Sequence, residues 1–217
     1  MKLIWTPETA LKAYIETVKL CELFQESGVA ELISAMAAGW NAKLIVETWS
    51  QGGVMATSIG LAIASHQTNG RHVCVVPDEQ SRSEYIEAMV NKARMSPEVV
   101  VGEAEEVMEK LIGIDFLVVD SRRKDFARVL RLAKLSNRGA VLICKNASSR
   151  TSSFRWRSVI EGGSSRRLVR SVLLPVGEGL DIAHVATSGL NSGSSKGEKK
   201  WIKHIDAQSG EEHVIRK

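Results

Sequence analysis

Between residues 42 and 144 short apolar runs alternate with helical patterns, and this alternation constrains the chain more than any other feature. Lys43-Leu44-Ile45-Val46-Glu47, His72-Val73-Cys74-Val75-Val76, Glu98–Val101, Ile114–Asp120 and Ala140–Cys144 read as five strands. Between them the spacing predicts helices over Val54–Ser65 and about Ser81–Arg94, a short one after Gly102, and one carrying Phe126, Val129, Leu130 and Ala133. Strands that are apolar throughout and separated by helices form a parallel sheet covered on both faces, with right-handed crossovers. The Val54–Ser65 helix is apolar on nearly every side, so most of its surface must be covered.

The flanks differ in pattern. Thr6-Pro7-Glu8 starts a helix that Gly28 ends, and a second helix covers about Val29–Trp40; residues 1–41 are thus N-terminal helices packed on the core. After the fifth strand, a helix is expected around Phe154–Glu161. Leu168–Pro175 and Leu180–Thr187 flank Val176-Gly177-Glu178-Gly179, which marks an antiparallel pair. Residues 42–188 therefore form one α/β domain. Residues 189–200 read as a Ser/Gly/Lys linker, and residues 201–217 as a C-terminal β-hairpin too small to stand alone.

Composition narrows the class. At 44% hydrophobic and 25% charged, the chain is neither disordered nor collagen-like. No stretch reaches eighteen consecutive apolar residues, so no membrane span is expected, and Met1–Thr6 opens no signal sequence; a cytoplasmic or nuclear, unsecreted protein is the expectation. Cys21, Cys74 and Cys144 make no metal-binding spacing and read as buried thiols. Charge is unevenly spread: Ser121–Arg170 holds fourteen Lys and Arg against two acids, whereas Glu79–Asp120 holds ten acids against four bases. That asymmetry points to an anionic partner or to two solvated faces of opposite sign.

Five parallel strands followed by a Gly-linked antiparallel pair resemble the class I methyltransferase fold, a Rossmann-like α/β sandwich with a seven-stranded, mostly parallel sheet and a final antiparallel hairpin. Residues 30–188 resemble caffeoyl-CoA and catechol O-methyltransferases. The match is carried by Ala42–Glu47 with Gly53, Val101-Gly102-Glu103-Ala104, Asp115–Asp120 with Lys124-Asp125-Phe126, and most specifically Leu174-Pro175-Val176-Gly177-Glu178-Gly179-Leu180. The whole sequence also resembles a plant family of uncharacterised methyltransferase-like proteins.

The resemblance implies S-adenosylmethionine as cofactor, with Glu47, Thr48, Trp49, Gly52, Gly53, Asp78, Gly102, Glu103, Ala104 and Asp120 around it. Asp120 and Lys145 stand as candidate catalytic residues. Ligands of open α/β sheets lie beyond the strand carboxyl ends, where glycines and helix N-termini admit them. Each residue also has a structural reading: Gly52-Gly53 as a turn, Glu47, Asp78 and Asp120 as caps, Trp49 as a packed aromatic.

Three departures from the family stand out. Trp49 occupies the position of the first loop glycine, and Pro77 that of the ribose acid, displacing Asp78 by one. The metal-ligand positions Asp, Asp and Asn read Asp120, Lys145 and Asn146. An ammonium brings no oxygen to a hard cation, so no metal is expected and Lys145 is expected to pair with Asp120.

Two functions follow. One is metal-independent methyl transfer to an anionic small-molecule acceptor. The other is a catalytically degenerate scaffold acting by protein or nucleic-acid binding. For nucleic acid the signal is Arg150, Phe154, Arg155, Trp156 and Arg157, aromatics interleaved with arginines.

Overall fold

The computed structural model describes residues 5–21, 28–149, 154–161, 166–187, 201–205 and 212–216. They fall into two compact units, Met1–Thr187 and Ser188–Lys217. The expected linker at 189–200 lies outside the described residues.

The first unit is a seven-stranded sheet of order β3-β2-β1-β5-β7-β9-β8. Its parallel strands are β1 (Leu44–Thr48), β2 (Arg71–Val76), β3 (Glu98–Val101), β5 (Phe116–Asp120) and β7 (Ala140–Lys145). β9 (Leu180–Thr187) runs antiparallel to both β7 and the edge strand β8 (Arg166–Leu174). The five apolar runs are thus the five parallel strands, and the glycine-linked pair is the antiparallel hairpin.

Alternation along each strand divides the core. Ile45, Cys74, Val118 and Ile143 face one layer, and Val46, Val75, Val119 and Leu142 face the other. The first layer contains α1 (Pro7–Cys21), α2 (Val29–Gly39), α3 (Met55–Thr68) and α4 (Glu79–Ala93). The second contains α5 (Ala104–Lys110), α6 (Phe126–Leu132) and α7 (Trp156–Ile160). Every residue of α3 from Met55 to Ala64 is buried, because α1 and α2 lie over it. A Cβ at Gly60 would come within 2.7 Å of the Ala30 carbonyl oxygen, so the α2–α3 approach depends on that glycine. Thr17 Oγ1 donates to Ser34 Oγ at 2.9 Å and ties α1 to α2.

The run read as one strand, Ile114–Asp120, is two. Ile112–Ile114 (β4) pairs with Lys134–Leu135 (β6) in a separate parallel ribbon, and β5 starts after Asp115. Between the two strands, the Asp115 carboxylate accepts the amides of Lys43 (2.7 Å) and Leu44 (3.2 Å) and the Arg138 guanidinium (2.6 Å), while the Asp115 backbone bonds Leu44 and Val141. α4 starts at Glu79, two residues before the expected position, because Asp78 caps it.

In the second unit β10 (Trp201–Ile205) and β11 (Glu212–Arg216) form an antiparallel hairpin, with Trp201 opposite Arg216 and Ile205 opposite Glu212.

Candidate functional site

Strand order reverses between β1 and β5, so the crevice of this fold lies beyond the carboxyl ends of those two strands. The sequence candidates divide between its two sides.

On the β1–β2 side, Glu47 ends up inside the protein. Its Oε1 accepts the Tyr85 hydroxyl at 2.8 Å and His72 Nε2 at 3.1 Å, and its Oε2 accepts Ser58 Oγ at 3.0 Å. The residue is fully buried. Burial pushes the Glu47 pKa up. The His72 hydrogen bond and charge, the nearby Lys145 charge and the Tyr85 hydroxyl together outweigh it, and the net shift is downward. Burial, followed by the Glu47 charge, raises the Tyr85 hydroxyl well above its ordinary range.

Trp49 turns inward beside this cluster. Its indole meets the Tyr85 ring edge-on, centroids 5.3 Å apart, and only 3% of the residue is exposed. A Cβ at Gly53 would lie 2.6 Å from the indole nitrogen and 2.8 Å from the Ser50 carbonyl oxygen, so Gly53 makes room for the tryptophan. The indole nitrogen and the Thr48 hydroxyl are both buried without a hydrogen-bond partner among the described residues.

The remaining candidates on this side lie in turns and caps. Gly52 sits in an exposed turn at φ 73°, its amide donating to Glu84 Oε1 at 3.3 Å. Exposed Asp78 caps α4 by accepting the Ser81 amide at 2.7 Å, and that bond lowers its pKa. Gly102 donates its amide to the Val76 carbonyl at 2.9 Å. Glu103 is the exposed residue before α5, and Ala104 is buried in its first turn.

On the β5–β7 side, Asp120 and Lys145 are register partners at the ends of adjacent strands. The expected ion pair between them does not form. Asp120 instead takes the Arg122 guanidinium at 2.8 Å, the Arg122 amide at 2.9 Å and Asn146 Nδ2 at 2.8 Å. A planar fork that reaches both oxygens, two residues along the chain, outcompetes a single ammonium. Partial burial raises the Asp120 pKa, but the Arg122 and Asn146 hydrogen bonds and the Lys145 charge more than reverse this, leaving it low.

Lys145 is 7% exposed, and its ammonium has no hydrogen-bond or ion-pair partner among the described residues. It lines a cavity of about 440 Å³ together with Val54, Thr57, Arg122, Asn146 and the Val176–Leu180 turn. Gly177 (φ 56°) and Gly179 (φ 87°) give that turn its shape; a Cβ at Gly177 would come within 2.6 Å of Val29 Cγ2. A larger groove, about 700 Å³, opens around Arg71, His72 and Arg94. It lies at the amino end of β2, away from the crevice.

Among the described residues no three His, Cys, Asp or Glu gather as metal ligands, and no helix is long and apolar enough to cross a membrane. Phe154 and Trp156, read as aromatics interleaved with arginines, are buried. Phe154 packs on Phe126 and Trp156 at 5.1 Å each, and the Trp156 indole donates to Asp181 Oδ1 at 2.7 Å. Neither ring offers a face for base stacking; Arg150 lies outside the described residues.

Sequence reasoning missed Tyr85, His72, Ser58 and Arg122. Tyr85 carried a usable signal, since a tyrosine on the core side of a helix needs a partner for its hydroxyl.

Three solved structures share this architecture. A methyltransferase from Geobacter sulfurreducens matches with TM-score 0.56 and 19% identity over 81% of this chain and 88% of that one. The SAH-bound methyltransferase PaMTH1 of Podospora anserina matches at 0.54 and 13%, over 85% and 90%. An O-methyltransferase from Bacillus cereus in complex with SAH matches at 0.51 and 18%, over 84% and 93%. The fold is therefore the Rossmann-like methyltransferase fold. No curated protein matches the sequence. The family model described as a protein of unknown function (DUF1442) matches residues 1–217, and the chain belongs to that family.

Proposed function

We propose that this DUF1442 member is a methyltransferase-fold protein that acts by binding, and that its adenosyl cleft is filled from within. The observation that carries this reading is the inward Trp49 indole, packed on Tyr85 and against Gly53. In the pose the resemblance implies, S-adenosylmethionine runs along the backbone of the loop after β1, with carboxylates after β1 and β2 taking its polar groups. The residues present do not fit that pose. The indole stands where backbone would be bare, both Glu47 oxygens are bonded internally, and Asp78 is committed to α4. A divalent cation fits no better, because Lys145 supplies an ammonium where an oxygen is needed and Asp120 is already held by a guanidinium.

A second reading, metal-independent methyl transfer from S-adenosylmethionine, is favoured by the two unpartnered buried groups on Thr48 and Trp49. A ligand that displaced the indole would satisfy both. Calorimetric titration of the full chain with S-adenosylmethionine and S-adenosylhomocysteine decides between the readings. An adenosyl cleft filled from within predicts no saturable heat and no thermal shift with either compound. Saturable micromolar binding overturns it; a ligand at about 100 times its Kd adds roughly 2.7 kcal/mol of stability and is readily seen.

A further inference from the structure

We propose that the cavity around Lys145 binds the carboxylate of a small organic acid. The inference rests on the binding reading above and names the ligand class for the side of the crevice that remains open.

The argument starts from a charge. An ammonium partly withdrawn from water without a partner is disfavoured, and Lys145 is nine-tenths buried and unpaired among the described residues, its nitrogen keeping some access to solvent. Two nearby carboxylates are spent elsewhere. Glu47 spends its oxygens on His72, Tyr85 and Ser58, and Asp120 spends its own on Arg122 and Asn146. Lys145 lowers the pKa of both through space and is hydrogen-bonded to neither.

The cavity wall supplies a second attraction. Val54 and Thr57 belong to the amino end of the fourteen-residue helix α3, whose cap position makes no side-chain hydrogen bond. The first amides of a helix without a side-chain cap, and the positive end of its dipole, favour an anion. Thr57 and Asn146 line the same cavity.

The arrangement of charges selects the anion. Arg122 and Lys145 line the cavity with Glu178, and Arg122 is already paired with Asp120. By number the charges cancel, but Glu178 makes no ion pair with Lys145 among the described residues, so the ammonium is left without a local partner. A planar monoanion meets it, whereas a phosphate dianion would add repulsion from Glu178 and Asp120. A volume of about 440 Å³ suits a small molecule.

The test uses the full chain, wild type and K145M, with thermal unfolding read against sodium acetate and sodium phosphate at constant ionic strength. Saturation transfer from protein to acetate methyl protons gives an independent readout. Acetate should raise the wild-type midpoint saturably in the millimolar range. K145M should weaken that response about tenfold or more, and K145R should retain it. An acetate response absent from wild type, or unchanged in K145M, overturns the proposal; a stronger response to phosphate overturns the monoanion assignment. If K145M does not fold, K145R retention together with loss in T57V carries the test, and retention in T57V as well as K145R overturns it. A parallel titration with S-adenosylmethionine separates the two readings. Its binding with Lys145-dependent acetate binding leaves the carboxylate site standing and sinks binding-only function. Lack of both sinks the carboxylate site alone.

Discussion

The two sides of the crevice share one sheet edge and one set of strand ends, yet they use their polar groups in opposite ways. On the β1–β2 side, Glu47 is closed off by His72, Tyr85 and Ser58, Trp49 fills the adjoining space, and Asp78 caps a helix. On the β5–β7 side, Asp120 is satisfied locally by Arg122 and Asn146, and Lys145 remains buried and unpaired beside a cavity. The difference teaches that a fold's ligand crevice need not be kept or lost as a unit. The packed side is built as core, and the open side leaves a buried cation beside a cavity.

The largest effect should come from emptying the packed side. Trp49→Ala removes a buried aromatic and its edge-on contact with Tyr85, at a cost of about 3–5 kcal/mol in chemical denaturation. A cost below about 1 kcal/mol would mean that the indole is not part of the core, and the contrast between the two sides would collapse. Micromolar S-adenosylmethionine binding gained by a folded Trp49→Gly protein would show that the indole alone closes the cleft.

The next effect is that of the buried carboxylate. Glu47→Gln leaves a buried cluster short of its charge and should cost about 2–4 kcal/mol. Its pH dependence has a definite sign. The Glu47 pKa is lower in the folded state than in the unfolded chain, so its contribution is fully present above the ordinary carboxylate range. That contribution fades as pH falls through this range toward the folded-state value. The stability gap between wild type and Glu47→Gln should therefore be widest near neutrality and narrow under acid. A gap that widens toward low pH would mean that Glu47 is held protonated, and the clasp described above would be wrong.

Much of this contrast could not be read from residue order alone. The sheet was legible because buried parallel strands are apolar throughout, and Gly177-Glu178-Gly179 announced the antiparallel pair. The covering of α3 was legible for the same reason: an apolar helix cannot face water. The partners of Glu47 were not, since Tyr85 lies thirty-eight residues away on α4 and meets it only once α4 docks. The role of Asp115 was hidden because its carboxylate serves Lys43 and Leu44, seventy-two and seventy-one residues earlier in the chain. Trp49 was recognised as a departure, but whether an indole packs inward or stacks on a ligand depends on the space Gly53 leaves it. Lys145 was legible as a cation in the wrong place for a metal. Its lack of a partner follows from Arg122, whose reach back to Asp120 is a matter of turn geometry.

That reach-back sets the smallest prediction and the one that tests the open side most directly. The Arg122 side chain is 59% exposed, so its pair with Asp120 is largely screened. Arg122→Ala should lower stability by less than about 1 kcal/mol. Its electrostatic consequence is larger than its energetic one. Without the guanidinium, the Asp120 pKa should rise toward the ordinary carboxylate value, as read by carbon NMR of the side-chain carboxyl across an acid titration. One face of Asp120 then becomes available to its register partner Lys145. The ammonium should turn to it, and the acetate response of the cavity should weaken although Lys145 is unchanged. An acetate response equal to wild type in Arg122→Ala would mean that Asp120 and Lys145 are held apart by more than the competition for the carboxylate. The openness of this side would then belong to the backbone of β5 and β7 and not to the arginine.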